Sequence, residues 1–529
     1  MLLYVALQAI SLLMTTTCGQ QTNLTPQNAT AFSLLYGYPL IGFHKLAAPL
    51  VANIGVNQVV HSRSLSTAAS TAVVKPNVDT LYSAGIFDLS HNDVQMQLPE
   101  IPSDQYALFS FYDPYGDNFA NVGTGNFDSS RSVDLRQRSS KGSLGYGLDP
   151  ISGTHAHPGA LIYSPSTYGI VLIRWLVNST NLDLVHRLQD TFVIANATTN
   201  SSTKENEPYI TDVLGLSVNT SVSPAQDVLT LLSKLAAFTG PEVFNESKIV
   251  NQNLVAAGIT ANKTSLGSGV DLNAANNSAL AYAATAWEAN QVRLNDGWSM
   301  LAPNKAGNFR RDYGIRAAVA GGGYLMLQAP NAIYPGWSNS TTSGTGGLAG
   351  GDVDLSANES LLYTFSSKPP LQPNGFWSLT AYSDNYLIPN NISVYALGDR
   401  SNMTYSDGSL VYGFNSSWHN GRFQILIQAA DSVPPTNWTK NWLPSPAGGG
   451  SVSALLRWYL AEQSLLDGTY EYPVVTRQPA IKASGGVEGS SSTPSASSSG
   501  IEKNGGVVPL ANRSTSLLAA VLVIMVLRI

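Results

Sequence analysis

Val73-Val74-Lys75-Pro76-Asn77-Val78-Asp79-Thr80-Leu81-Tyr82-Ser83 sets polar groups into an apolar, β-prone run that contains none of the dipeptides of a turn. Pro76 removes a backbone donor and biases Lys75 toward extended geometry, so the stretch reads as the lead-in to a strand. Asn77, Asp79 and Tyr82 then offer a carboxamide, a carboxylate and a phenol within a few residues. Two readings are open: a site, or a buried hydrogen-bond network that only fixes the fold.

Outward from this stretch the β pattern continues. Thr80 to Leu89 and Tyr106 to Tyr112 have strand composition, with a proline-bounded connection at Leu98 to Ser103. Ala160 to Tyr163 and Gly169 to Val177 flank a Ser-Pro-Ser-Thr turn and read as a hairpin that carries Arg174 beside Trp175. Upstream, Ala31 to Val60 reads as helix, interrupted at Pro39. Downstream, the period lengthens to helical between about Asn181 and Gln328. Its stripes are Leu182 to Phe192, Val228 to Phe238, Leu280 to Leu301 and Tyr313 to Leu327, and these helices are expected to cover or join sheets. Pro224 suits a first helical turn. From Ser360 to Val475 strands return: Phe376 to Tyr382, a turn at Ser383-Asp384-Asn385, Tyr386 to Ile388, Leu410 to Phe414, Phe423 to Gln428 and Leu455 to Leu460.

The fold class expected is α+β, mainly β, with two β-sandwich or jelly-roll-like domains and helical elaborations between them. We place an N-terminal β-rich domain at 31–215, a helical connecting region at 222–345 and a C-terminal sandwich at 352–478. A chain of 529 residues exceeds what one core serves, which agrees with two domains.

Charged residues make up only 12% of the chain, so something besides charge is expected to keep the surface soluble. Asn-x-Ser/Thr sequons fall at Asn23, Asn28, Asn178, Asn196, Asn200, Asn219, Asn245, Asn262, Asn276, Asn339, Asn358, Asn391, Asn402, Asn415, Asn437 and Asn512, a density that fits a secreted glycoprotein. Leu2 to Met14 followed by small residues resembles a signal peptide over 1–19. Cys18, the only cysteine, lies at that junction, leaving the mature chain without disulfide, thiol nucleophile or Cys-bound metal. A Ser/Gly-rich stalk spans 479–504. The apolar tail Leu517 to Ile529 is too short to span a bilayer, and with Asn504-Gly505-Gly506 and a spacer it matches a glycosylphosphatidylinositol signal over 505–529, with attachment at Asn504. The expected location is the cell surface, on the outer plasma membrane or wall. The net charge of −6 carries no basic stripe, which argues against nucleic acid as a partner.

Several chemistries find no seat. The Gly-rich pieces Gly321 to Gly323 and Gly344 to Gly351 lack a Gly-Lys-Ser/Thr ending, and there is no Rossmann fingerprint, Gly-x-Ser-x-Gly elbow or His-Glu-x-x-His helix. His155-Ala156-His157 adjoins Pro158-Gly159 without an identifiable third ligand, so no metal and no cofactor are expected.

Lys75-Pro76-Asn77-Val78-Asp79-Thr80-Leu81-Tyr82-Ser83 with the aromatic strand Tyr106 to Tyr115, and later Gly375 to Tyr382, Leu397-Gly398-Asp399-Arg400, Asn441-Trp442-Leu443-Pro444 and Arg457-Trp458-Tyr459, resemble a family of secreted bacterial and fungal proteins. That family joins two domains of unknown function, DUF twelve fifty-four and DUF twelve fourteen. The resemblance covers most of Tyr36 to Val475 and implies two sandwich-like domains with no settled activity. Lys75 stands where many relatives have Arg, which loses bidentate geometry if that position grips a carboxylate. The sequon-bearing insertions, stalk and tail suggest a fungal surface version.

Candidate acids, bases and proton donors are Asp79, Tyr82 and Asp113, with Asp117 as a further carboxylate; candidate ligand-binding residues are Lys75, Asn77, Tyr112, Arg174, Trp377 and Trp442. Two functions of different class follow. One is a surface protein that binds or processes a small molecule or glycan in an interdomain pocket. The other is a structural or adhesive wall glycoprotein without catalysis.

Overall fold

Pro39 does divide the first helical segment, into Pro26–Gly37 and Leu40–Ile54. The computed structural model describes residues 24–71, 75–127, 131–137, 145–155, 157–197, 207–215, 223–338, 351–413 and 420–483. The first helix is started by Thr25, whose hydroxyl accepts from the Asn28 N–H, and by Pro26 in its first turn. Gly55, at φ 79°, ends the second.

Two five-stranded sheets follow. One has the order Val60–His61, Thr80–Asp88, Tyr168–Leu176, Ala107–Tyr112, Asn118–Gly123; the other Val193–Ala197, Asp93–Gln97, Ser132–Gln137, Ala160–Ser164, Gly147–Leu148. Between them Leu81, Phe109, Phe111, Ile173 and Trp175 of the first meet Val94, Met96, Val133, Leu135 and Ile162 of the second. The stretches expected as one hairpin, Ala160 to Tyr163 and Gly169 to Val177, are strands of different sheets. Ala160–Ser164 runs parallel to Ser132–Gln137, whereas Tyr168–Leu176 is the centre of the first sheet. The Ser164 to Thr167 link crosses between sheets, the Ser164 hydroxyl donating to the Ser166 carbonyl and the Ser166 hydroxyl to the Tyr168 carbonyl, both at 2.7 Å.

The other face of the first sheet is covered by helices. Ala84, Ile86, Leu108, Ile170 and Leu172 pack with Phe43, Leu46, Leu50, Leu229 and Leu232 in one core, which is why Thr80–Asp88 and Tyr168–Leu176 are apolar on both faces. Pro224 occupies the first turn of Pro224–Leu235 as expected. The stripe read over Leu280 to Leu301 is only partly helical. Leu272–Ala289 ends at Asn290, and Gln291–Arg293 and Trp298–Leu301 pair as a hairpin that joins the second domain's sheet. Asp296 and Gly297, both at positive φ, make its turn, and Trp298 and Met300 then bury alternate positions.

In the C-terminal part, a nine-stranded sheet built on Leu371–Ser383 and Gly449–Ala461 packs on a four-stranded one. Trp377, Leu379, Leu456 and Trp458 face Leu361, Tyr363, Phe365, Ile425 and Ile427. Asp384 and Asn385, at φ 49° and 67°, make the tight turn into Tyr386–Leu387. Leu410 makes a single bridge to Thr404 instead of starting a strand, and Phe414 lies outside the described residues. The architecture is α+β and mainly β, with several sheets and no closed barrel among the described residues. No helix among them is long and apolar enough to cross a membrane.

Candidate functional site

Strand register decides which side chains meet where the two β regions touch. Tyr82 lies opposite Arg174, Ser110 opposite Leu172 and Tyr112 opposite Ile170, all on the face of the first sheet turned away from its sandwich core. In the second region Phe376 lies opposite Tyr459, Ser378 opposite Arg457 and Thr380 opposite Leu455. Their neighbours Trp377, Leu379 and Trp458 point into the second core, so the period of two leaves Phe376, Ser378, Thr380, Tyr382, Arg457 and Tyr459 facing the first domain.

The stretch from Lys75 to Thr80 lies between these faces. The Lys75 N–H donates to Asn385 O at 2.6 Å and its carbonyl accepts from Arg457 Nη2 at 2.9 Å. Held from both sides, Lys75 adopts φ 49° rather than the extended geometry that Pro76 favours. Burial lowers its ammonium pKa, with Asp352 opposing the shift and Arg457 adding to it. The Pro76 carbonyl accepts from Tyr382 OH at 2.9 Å. Asn77 Nδ2 donates to Tyr82 OH at 3.1 Å and to Tyr459 OH at 3.0 Å, while its Oδ1 accepts from the Asp79 N–H at 2.7 Å. Asp79, 4% exposed, accepts from Ser378 Oγ at 2.6 Å and from Arg400 Nη2, and Arg400 Nη1 also reaches Asp399 at 2.8 Å. Burial raises the Asp399 pKa and Arg400 opposes it. Apart from Tyr82 and the Asp79 N–H, these partners come from the second domain, so the polar interruption is an interdomain clasp.

Beside the clasp lies Arg174, 5% exposed. One of its nitrogens, Nη1, donates to Ser110 Oγ and Tyr112 OH, both at 3.4 Å. Its strongest electrostatic neighbours are the phenols of Tyr112, Tyr82, Tyr334 and Tyr459. Among the described residues it forms no ion pair. Burial raises the pKa of Tyr112 and pushes Tyr334 up to about 12, Arg174 opposing both shifts. Tyr334 and Tyr459 also feel Arg457, so the two arginines converge on them from opposite domains. Asn77, Tyr82 and Tyr334 are half-buried. Val73 and Val74 lie outside the described residues.

Asp113 belongs to a different cluster. It is buried in the loop after Ala107–Tyr112 and accepts from the N–H groups of Tyr115 and Asp117 at 2.9 and 3.0 Å. Asp117 pairs with Arg316 at 3.1 Å, both side chains fully enclosed, and Tyr36, Tyr115 and Tyr313 ring the guanidinium at 4.4 to 4.8 Å. Burial, then Asp117, raises the Asp113 pKa well above the usual range. Glu242 is pushed up to about 7 by burial and then by Asp117. Trp377 donates its indole N–H to Tyr412 OH and Trp442 donates to Gln428 O, both inside the second domain and apart from Asn77. His157 bonds Asp134 at 3.0 Å and the Gly159 carbonyl at 3.2 Å. The structure thus brings together Lys75, Asn77, Asp79, Tyr82, Tyr112 and Arg174. It adds Tyr106, Tyr334, Arg400, Arg457 and Tyr459, of which Arg400, Arg457 and Tyr459 stand in the quoted C-terminal motifs.

Residues 56–196 match the family described as "Protein of unknown function (DUF1254)", and residues 350–463 match "Protein of unknown function (DUF1214)". The chain carries these two domains in tandem. The clasp is therefore DUF1254 sequence gripped by DUF1214 sequence: Asn77 and Asp79 lie within the first match, and Ser378, Arg400, Arg457 and Tyr459 within the second. No curated protein matches the chain. Among solved structures, the VPA0106 protein from Vibrio parahaemolyticus is similar with a TM-score of 0.52 at 14% identity, covering 86% of this chain and 100% of that one. A putative uncharacterized protein from Burkholderia cenocepacia covers 90% and 95% at 12% identity, with a TM-score of 0.36. The likeness to the Vibrio protein shows a shared fold.

Proposed function

We propose that this tandem-domain protein binds a small molecule at the DUF1254–DUF1214 junction, and that it does so as a glycosylated protein of the cell surface. The observation that carries the binding reading is the convergence of half-buried Tyr82 and Tyr334 from separate segments on Arg174. A network serving only the fold would close on itself, as the Asp79, Ser378 and Arg400 group does. Junctions between domains are common ligand sites. Nothing in the arrangement calls for a bond-breaking step, so binding is the reading, and Asp79 serves it by fixing the two faces. The test is to isolate the full chain without refolding, release bound small molecules by denaturation and identify them by mass spectrometry. A molecule present in near-equal amount with the wild type and lost from Asn77→Leu is expected; its absence from both, or equal retention, would refute the reading.

The surface reading rests on the signal-like and anchor-like segments and on the sequons. Asn178, Asn196, Asn245, Asn262, Asn358, Asn391, Asn402 and Asn437 are exposed, and Asn28 and Asn276 are half-buried on helices. Asn23, Asn200, Asn219, Asn339, Asn415, Asn504 and Asn512 lie outside the described residues. Phosphatidylinositol-specific lipase should release the protein from cells, and retention in the membrane after treatment would remove the anchor at Asn504.

A further inference from the structure

Two features of the junction remain unexplained by the fold. A guanidinium withdrawn from water without a counter-charge is unfavourable, yet Arg174 hydrogen-bonds only hydroxyls, through one nitrogen and at long distance, and otherwise lies over the Tyr82 ring at 5.7 Å. Among the described residues no carboxylate pairs with it, although the chain pairs the fully enclosed Arg316 with Asp117. Independently, Tyr106 is 0% exposed and its hydroxyl has no hydrogen-bond partner among the described residues, whereas a buried phenol O–H normally finds an acceptor. Tyr106 lies within electrostatic reach of Arg174, Tyr334, Tyr112 and Tyr82. A missing negative charge and a missing acceptor thus fall at the same place.

Resting on the binding reading above, we propose that the junction's ligand is a small organic acid whose carboxylate accepts from the Arg174 guanidinium and from the Tyr106 hydroxyl, with an apolar, ring-sized body against the tyrosines. One planar guanidinium matches one carboxylate in charge and in fork geometry. A phosphate dianion would leave a negative charge over. Arg457 is already engaged, three of its N–H groups donating to Thr380 Oγ1, the Lys75 carbonyl and Tyr382 OH at 2.7 to 3.1 Å. The surroundings are aromatic: Phe376 stacks on Tyr459 at 4.1 Å and meets Tyr106 edge-on at 4.9 Å.

The test is calorimetric titration of the full chain with benzoate, its neutral isostere benzamide, and inorganic phosphate. Benzoate should bind at least tenfold more tightly than benzamide or phosphate, and Arg174→Gln should remove that preference. Because Arg174→Gln can also disturb folding, Tyr106→Phe is the second variant. Its hydroxyl bonds none of the described residues, so thermal stability should be unchanged or higher while benzoate affinity falls severalfold. Equal binding of benzoate and benzamide, lost together in Asn77→Leu, would overturn the carboxylate assignment and leave the junction reading standing. Tighter binding of phosphate would overturn the assignment as well, as would Tyr106→Phe with unchanged benzoate affinity. No binding of any probe would overturn both inference and reading.

Discussion

Asp79→Ala tests whether the Lys75 to Thr80 stretch is a clasp between domains. The carboxylate is 4% exposed and holds two donors from the second domain, Ser378 Oγ at 2.6 Å and Arg400. Breaking a buried ion pair typically costs about 3–5 kcal/mol, because the surviving charge is stranded. Here the survivor is partly relieved: Arg400 keeps Asp399 at 2.8 Å and its side chain is 21% exposed. That places the ion-pair loss near about 3 kcal/mol, the low end. The orphaned hydroxyl of Ser378, a buried residue, adds about 1 kcal/mol. Asp79→Ala should therefore lose roughly 3–4 kcal/mol in urea unfolding of the full chain. Arg400→Met should lose a similar amount by stranding Asp79. The double variant should lose less than the sum by about 2 kcal/mol, since the second substitution removes the charge stranded by the first. A single-variant loss under about 1 kcal/mol, or additivity within about 0.5 kcal/mol, would refute the clasp.

Two further outcomes concern the buried acids behind the first sheet. Glu242, carried from 4.5 to about 7, holds a proton in the folded chain that the unfolded chain gives up, so its roughly 3 kcal/mol of stabilisation is present in full below pH 4.5 and is lost as pH rises through 7. Unfolding midpoints measured from pH 4.5 to 8 should fall with pH in the wild type and fall less in Glu242→Gln; identical profiles would remove the assignment. Arg316→Met strands Asp117 in a fully enclosed site and should lose about 3–5 kcal/mol. Adding Asp117→Asn should recover part of that loss, again read by urea unfolding.

Much of the fold was legible because its elements announce themselves locally. Pro39, Pro224 and the Asp384-Asn385 turn act through their own backbone preferences, and they sit where the sequence places them. The errors lie where tertiary context decides. Ala160–Ser164 and Tyr168–Leu176 are both apolar and separated by a turn-like link, and nothing local states that one pairs with Ser132–Gln137 and the other with Thr80–Asp88. Leu280 to Leu301 contains apolar residues at both helical and strand spacing. The switch at Asn290 is set by pairing with Gly336–Trp337, outside any local window.

The site divides in the same way. Asn77, Asp79 and Tyr82 are visible because polar groups interrupt a strand without a turn, and that local anomaly has a nonlocal cause: their partners Ser378, Arg400 and Tyr459 lie some 300 residues or more away. Arg174 is visible as a charge in a strand, but its character depends on what is absent around it, which composition cannot express. A polar network whose donors and acceptors all match explains a fold, and the clasp at Asp79 is such a network. The surplus beside it, a guanidinium lacking a carboxylate and a phenol lacking an acceptor, is not required by the clasp, since Asp79, Ser378, Arg400 and Arg457 are satisfied without either. A structural glycoprotein would gain stability by exchanging Arg174 and Tyr106 for apolar residues of similar size. Their presence between the two domains, beside half-buried Tyr82 and Tyr334, is the reason to assign that place to a ligand.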